Sequence, residues 1–377
     1  MTKWRLEDTA KETLAVREKI KSMGLDDTNF CLVPFTTIIL EPDGQVGMCR
    51  NKGNNFPIGN IKENTISEIW NGEKARQWRR QFLEGNPRNC AIETMHRRCQ
   101  HCPENNKLLD YIELSEVQTR PILKLTANFN GKCNLQCQMC DIWKLPNGLY
   151  NKLNFWEPAK TDIFPYLKEV DMLSGEPFIQ ADTYRLIDEI SSINPDCQWI
   201  FTTNAHWKLS DKIKNDLNKI KIKNIIISVD SFNEETYYKI RYPGKLNFVL
   251  DNIENLLTYN NERKEKKLNS IRFILNFLVQ KDNWREVPQA IRYCEERGIV
   301  PFITFLYVPS EFSLLNLDEE ERVHIFEEWM STLNESQVIR SMRVLTPLIQ
   351  SLTHLNKVSA LLTFKEKMKN FQIDPLK

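Results

Sequence analysis

Apolar positions change period along this chain, and the change divides it. From residue 4 to 22, Leu6, Ala10, Leu14 and Ile20, with Met23 beyond, recur at roughly helical spacing among charges, which predicts an opening helix. Asp26-Asp27-Thr28-Asn29 predicts a loop. Phe35 to Leu40 reads as a short strand, Glu41-Pro42-Asp43-Gly44 as a turn, and Gln45 to Cys49 as the returning strand of a hairpin. Asn64 to Trp70 opens a helix with Asn64 as its cap, and the pattern carries that helix past Asn71-Gly72 through Trp78 toward Phe82. This region forms one compact unit ending near Leu109.

Beyond it, six strand-like segments follow: Ile122 to Phe129, Glu169 to Leu173, Trp199 to Asn204, Asn224 to Asp230, Ile271 to Val279 and Val300 to Val308. Helical stretches separate them, among them Tyr184 to Ile190, Leu246 to Tyr259 and Trp284 to Arg297, the last with Val287, Ile291 and Cys294 on one face. Strands alternating with helices predict an α/β fold whose sheet is parallel. From Leu317 the chain is mostly helical. Asp318 and Glu321 have capping-box spacing, Val323, Ile325, Phe326 and Trp329 give the apolar side, and a second helix is expected from Asn356 to Phe371. The expected role of this tail is a covering layer. The implied boundaries are 1–115, 116–316 and 317–377.

Composition narrows the function. The 377 residues carry 51 basic and 50 acidic side chains, a formal net charge of +1, which gives no support for binding a polyanion. Aromatic residues are plentiful and no run of 18 apolar residues occurs, so neither global disorder nor a transmembrane helix is expected. The opening Met1-Thr2-Lys3-Trp4-Arg5 has no apolar run of a leader, and the expected location is cytoplasmic. Eight of the ten cysteines fall between Cys31 and Cys140. In a reducing compartment that clustering points to metal ligation rather than a disulfide framework.

The sharpest chemistry lies just after the first of the six strands. Cys133, Cys137 and Cys140 form a C-x3-C-x2-C array. Three thiolates can hold three irons of a cubane [4Fe–4S] cluster and leave the fourth open to a substrate or cofactor. A zinc knuckle wants a fourth Cys or His nearby, and Asp141 to Pro146 supply only an Asp. An exposed iron implies oxygen sensitivity.

The array resembles the signature of the radical S-adenosylmethionine (SAM) enzymes, with Met139 in the variable apolar position. The six strand–helix units match the partial (β/α)6 barrel of that family, whose active residues gather beyond the C-terminal strand ends. Leu173-Ser174-Gly175-Glu176-Pro177 after the second strand resembles the family's G-G-E-P segment, which contacts the SAM amino group; Ser174 replaces the first glycine. Phe201-Thr202-Thr203-Asn204 and Ile227-Ser228-Val229-Asp230-Ser231 resemble the segments at strands three and four. The resemblance thus implies SAM contacts at Ser174, Gly175, Glu176, Asn204, Ser228 and Asp230, and at Arg241 on the SAM carboxylate, a pairing that suits a planar guanidinium. It also implies the chemistry. SAM chelates the open iron, one electron cleaves it to methionine and a 5′-deoxyadenosyl radical, and that radical abstracts hydrogen from a substrate C–H bond.

Upstream, Cys31, Gly44, Cys49, Cys99 and Cys102 follow the order C-x12-G-x4-C … C-x2-C. This resembles the twitch domain, a short SPASM domain, as does the segment from Asn60-Ile61 through Ile66 to Gly72. The resemblance implies one auxiliary [4Fe–4S] cluster on Cys31, Cys49, Cys99 and Cys102, with Gly44 at positive φ in the hairpin. The alternative is a four-cysteine zinc site. Familiar members place this module after the barrel, whereas here it precedes it. Cys90 is left over, as an alternative ligand, a hydrogen donor or a small buried hydrophobe, and His101 between the ligands points to solvent. Arg76, Arg79, Arg80, Arg88, Arg97 and Arg98 form a basic zone that is either a solvated face or a dock for an acidic flavodoxin or an anionic substrate.

A fully ligated auxiliary cluster suits electron transfer to or from a substrate radical. The expected reaction is therefore oxidation of a small polar metabolite such as a sugar or alcohol, with a flavodoxin- or ferredoxin-like electron donor and no membrane or nucleic-acid partner. A peptide- or protein-modifying maturase, by crosslinking or epimerisation, is one alternative; a non-catalytic iron–sulfur electron carrier is another. Cys197 and Cys294 are expected in the core. Glu176, Asp230 and Glu311 are placed only by strand ends as proton acceptors, and the facing of Lys124 and Asn276 depends on register.

Overall fold

The structure is a computed structural model that describes residues 6–26, 30–50, 56–90, 108 and 113–371. The first helix, α1, spans Leu6–Ser22, close to its expected bounds. The predicted strand at Phe35 begins later. Val33–Thr36 form one helical turn, α2, with Pro34 in its first turn, where a missing N–H costs nothing, and the Phe35 amide donates to Leu32 O at 3.0 Å. Strand β1 is Thr37–Leu40 and pairs antiparallel with β2, Gln45–Gly47. The turn between them closes through the Gly44 amide to Glu41 O at 2.9 Å. Gly44 has φ +90°, a backbone conformation that favours glycine, and a Cβ there would also press on Asn60 Oδ1 at 2.8 Å. A two-residue strand β3, Gly59–Asn60, completes the hairpin layer.

The helix expected from Asn64 to Phe82 is two helices. Its cap is Thr65, not Asn64: Thr65 Oγ1 accepts from the Glu68 amide at 3.3 Å, and Glu68 Oε2 accepts from the Thr65 amide at 2.8 Å. Helix α3, Ile66–Trp70, stops because the next residue is held sideways. Asn71 Oδ1 accepts from the Gln118 amide at 2.8 Å and its Nδ2 donates to Gln118 O at 3.0 Å, as a strand neighbour would. Gly72 then takes an extended conformation and starts α4, Glu73–Leu83.

Six parallel strands follow, at the six expected places: β4 (Lys124–Ala127), β5 (Glu169–Met172), β6 (Gln198–Thr203), β7 (Lys221–Ser228), β8 (Arg272–Val279) and β9 (Val300–Phe305). The crossovers are α5 (Trp156–Asp162), α6 (Ala181–Ile193), α7 (Asp211–Leu217), α8 (Glu234–Ile240) with α9 (Leu246–Glu265), and α10 (Val287–Arg297). The strands lie side by side in chain order, and β9 does not close onto the first: this is the open (β/α)6 barrel. Among the described residues the sheet has nine strands, because β1 pairs parallel with β4 from Thr37↔Lys124 to Leu40↔Ala127. The N-terminal hairpin therefore extends the barrel sheet and covers its first edge.

The other edge is covered from the C-terminus. Helices α11 (Glu319–Thr332), α12 (Glu335–Arg340), α13 (Met342–Gln350) and α14 (His354–Lys367) follow β9, with α12 and α13 packed on that strand. The Asp318–Glu321 capping box is present, and buried Trp329 donates from Nε1 to Trp284 O at 3.2 Å. One face of the strands carries Val170, Trp199, Phe201, Ile225, Ile227, Leu275 and Phe277 against the helices, all at 0% exposure. The other face lines the lumen, where Thr202, Ser228, Asn276, Leu278 and Thr304 keep partial exposure. Cys197 and Cys294 are core residues, and burial pushes both thiols up to about 12. Among the described residues no helix is long and apolar enough to cross a membrane.

Candidate active site

The C-terminal ends of the barrel strands converge on the loop that carries Cys133, Cys137 and Cys140. None of the three is in a disulfide, and all are half-buried. Four later segments grip this loop. After β5, the Glu176 amide and Gln180 Nε2 both donate to Lys132 O, at 2.9 and 3.0 Å, and Ser174 Oγ donates to Asn130 O at 2.8 Å. After β6, Asn204 Nδ2 donates to Asn134 Oδ1 at 2.9 Å, and Asn134 Nδ2 donates to His206 O at 2.5 Å. After α8, Ile240 O accepts from the Gln138 amide at 3.0 Å and Tyr242 O from the Gln136 amide at 2.6 Å. After β8, Gln138 Nε2 donates to Gln280 Oε1 at 3.0 Å.

Gly175 makes the first of these grips possible. Its φ is +60°, and a Cβ would lie 2.2 Å from Lys132 O. Glu176 is fully buried beside it and accepts from Thr203 Oγ1 at 2.8 Å, the Asn204 amide at 2.7 Å and the Phe178 amide at 3.1 Å. Burial lifts its carboxyl to about 7, against the pull of those hydrogen bonds. The side chain thus ties the ends of β5 and β6 together. Ser228, at the end of β7, is half-buried and faces the lumen.

Asp230 and Arg241 form a buried ion pair, Arg241 Nη2 to Asp230 Oδ2 at 2.6 Å, with the Leu278 amide donating to Asp230 Oδ1 at 2.8 Å. Desolvation works against the Arg241 charge, but Asp230 and Cys137 beside it outweigh that and raise its pKa. Arg241 Nη1 reaches Cys137 Sγ at 3.8 Å, and Asn204 Nδ2 reaches Cys133 Sγ at 3.7 Å. Burial also raises both thiols, Cys137 to about 11. Without metal these ligands are protonated at neutral pH, so loading releases protons. Among the described residues no three His, Cys, Asp or Glu side chains gather about a point that holds one metal ion. Three thiolates that each bind a different iron of a cubane need no such point. Three free thiols in one loop, two of them facing N–H donors, form a donor set that fits an iron–sulfur cluster.

Of the second cysteine set, Cys31 and Cys49 lie at the other end of the strands. Cys31 precedes α2 and enters β1 from the N-terminal end of the barrel strands, and β2 runs antiparallel, so the chain reaches Cys49 at that same end. Cys31 is buried and Cys49 half-buried. Cys99 and Cys102, with His101, Arg97 and Arg98, lie outside the described residues. Cys90 is half-buried against the core. Arg50, one residue past Cys49, reaches into the lumen and pairs with Asp171 on β5. Below that pair, Lys124 Nζ meets Glu169 Oε1 at 2.6 Å. Lys124 is therefore committed to a lumen ion pair, and Asn276 Oδ1 accepts from Thr304 Oγ1 at 3.0 Å. Sequence pattern offered no signal for Arg50, whose reach depends on β1 joining β4.

The basic zone divides. Arg79 is no part of a surface: it is at 0% exposure, lies over the Trp70 ring at 4.3 Å, and donates to Pro34 O, Glu116 O and Trp70 O at 2.7–2.9 Å. Arg80 pairs with Glu116 at 2.6 Å and Arg76 with Glu73 at 3.1 Å.

Comparison with known proteins agrees with this geometry. Residues 127–294 match the radical SAM superfamily, and residues 31–103 match the SPASM iron–sulfur cluster-binding domain. The chain therefore carries a radical SAM domain with a SPASM domain ahead of it. Its cofactors are those of the two families, SAM and [4Fe–4S] clusters. Among named relatives, a GTP 3′,8-cyclase from Aliarcobacter butzleri is 27% identical over 194 residues, covering 50% of this chain and 56% of that one. Another, from Clostridium botulinum strain Hall, is 30% identical over 160 residues, covering 40% of this chain and 48% of its own. The chain thus spans about half the length of the curated relatives it matches. A solved structure, SuiB of Streptococcus suis, is 14% identical with a TM-score of 0.39, covering 80% of this chain and 68% of that one; so distant a likeness adds nothing to the argument.

Proposed function

We propose that this radical SAM enzyme abstracts hydrogen from a small polar substrate held in the barrel lumen and completes an oxidation. The observation that carries the reading is the cysteine loop gripped by four later segments, three of them at strand ends, above a lumen of mixed polar character. Cys133, Cys137 and Cys140 are its cluster ligands. Ser174, Gly175, Glu176, Asn204, Ser228, Asp230 and Arg241 wall the space where SAM lies. When bound, the cluster and SAM supply the hydrogen-abstracting radical. The chain's own contribution is to fix the loop, shield it from water and hold the substrate close to it.

Two features favour a small polar substrate. The lumen wall offers Thr202, Ser228, Asn276 and Thr304, and its charges are already paired as Arg50–Asp171 and Lys124–Glu169. The oxidative outcome rests on the auxiliary site, with Cys31, Cys49, Cys99 and Cys102 as its ligands. Arg50, one residue past Cys49, pairs with Asp171 and so ties that site to the lumen wall; a cluster held there would supply an acceptor for an electron from the substrate. A flavodoxin- or ferredoxin-like donor in the cytoplasm completes the cycle.

The test is anaerobic reconstitution followed by dithionite and SAM. The expected result is two cubanes by iron and sulfide counting and release of 5′-deoxyadenosine. Sugars, aminoglycoside-like alcohols, GTP and peptides are then compared for stimulation of that release and for a mass loss of about 2 Da, the removal of two hydrogens. Stimulation by GTP or a peptide without mass loss contradicts the oxidative reading. No 5′-deoxyadenosine under any condition contradicts the reading as a whole.

A further inference from the structure

Two of the three loop cysteines receive side-chain N–H groups, and only one of these donors is charged. Arg241 Nη1 lies 3.8 Å from Cys137 Sγ, whereas the neutral amide of Asn204 lies 3.7 Å from Cys133 Sγ. Among the described residues Cys140 Sγ has no such donor. The guanidinium cannot turn away freely. Its Nη2 is bound to Asp230 at 2.6 Å, and Asp230 is itself fixed by the Leu278 amide at 2.8 Å and, through its carbonyl, by Asn283 Nδ2 at 2.7 Å. The backbones are also joined, since Ile240 O and Tyr242 O, on either side of Arg241, accept from Gln138 and Gln136, on either side of Cys137. Arg241 is 6% exposed and its Nε is buried without a partner.

We propose that Arg241 is a positioning residue for the cluster, donating to the Cys137 sulfur and thereby raising the cluster's reduction potential, with Asp230 holding it in place. This rests on the reading that Cys133, Cys137 and Cys140 ligate the cluster. The physical basis is that an N–H donor withdraws electron density from a ligating sulfur and stabilises the reduced, more negative cluster. Asp230 offsets the long-range charge of the guanidinium, so the effect is carried by the directed N–H···S contact and not by net charge. The same commitment leaves Arg241 little freedom to serve as a carboxylate clamp.

The test is an EPR-monitored redox titration of the reconstituted full-length protein without SAM. The relevant cluster is recognised as the one whose signal changes when SAM is added. Wild type is compared with R241K, R241Q and the double variant D230N/R241Q, which leaves no unpaired buried carboxylate. The expected result is a shift to more negative potential in R241Q and in the double variant, with R241K between them and wild type. Iron content and near-UV circular dichroism show that each variant has assembled. An unchanged midpoint in R241Q and the double variant overturns the proposal, even where SAM affinity falls, because that pattern is a carboxylate clamp's. Absence of any SAM-responsive signal in wild type instead overturns the ligand assignment on which the proposal rests.

Discussion

The two ends of the barrel carry cysteines in opposite ways. At the C-terminal strand ends, Cys133, Cys137 and Cys140 sit within one short loop that later segments grip through Lys132, Asn134, Gln136 and Gln138. At the N-terminal ends, Cys31 and Cys49 come from separate segments, placed at the same end because β1 and β2 extend the barrel sheet. The first arrangement is local in sequence but depends on distant residues for its shape. The second is distant in sequence but rests on backbone pairing. A contiguous motif can mark a site by spacing alone, yet the side chains that hold its shape are spread over more than 100 residues, as between Cys137 and Arg241.

Removing one ligand set at a time breaks the comparison most forcefully. C31A/C49A is expected to lose about four irons, the content of one cubane, and to keep SAM cleavage while losing oxidised product. C140A is expected to lose a similar amount of iron and all SAM cleavage. Iron analysis and chromatography of 5′-deoxyadenosine check both, and equal loss of cleavage in the two variants means that the ends are not independent.

Glu176 gives a second contrast, since it is fully buried whereas the hairpin's Glu41, whose carboxyl burial also raises, is half-buried. With the Glu176 carboxyl lifted to about 7, the folded chain holds a proton that the unfolded chain has released. The metal-free protein should therefore lose stability as pH rises from the unfolded carboxyl range to about 7, by up to about 3 kcal/mol, and level off above. E176Q should flatten that slope in denaturant titrations at pH 5 and 8; a wild type with no slope contradicts the burial argument.

Smaller effects separate the glycine grip from a surface cap. Gly175→Ala forces a Cβ against Lys132 O and strains a positive φ, so a loss of about 2 kcal/mol together with weaker SAM cleavage is expected. Thr65→Ala removes a helix cap that makes no contact with the Cys133–Cys140 loop and should cost about 1 kcal/mol with cleavage unchanged. Thermal unfolding with and without reconstituted iron measures both.

Much of this was legible in the residues. The six barrel strands fall where apolar runs placed them, because buried parallel strands are nearly continuous apolar segments. Gly44 at positive φ and the Asp318 capping box also follow from local chemistry. The misplaced cap had a visible signal: Thr65 and Glu68 have capping-box spacing, and Asn64 does not begin one. The break at Asn71-Gly72 had a signal as well, since Asn-Gly marks a turn; what the pattern could not show is that Asn71 binds Gln118, 47 residues away. The union of β1 with β4, the reach of Arg50 to Asp171, the burial of Arg79 and the docking of α12 and α13 on β9 are likewise long-range. Periodicity reports which face of an element is apolar, not which element will cover it.

The most direct test of the central claim is SAM cleavage by the anaerobically reconstituted protein beside its C133A/C137A/C140A variant. The account predicts 5′-deoxyadenosine from wild type and none from the variant, with the variant retaining about four irons on the auxiliary cysteines. Cleavage by the variant, or none by wild type carrying both clusters, would contradict it.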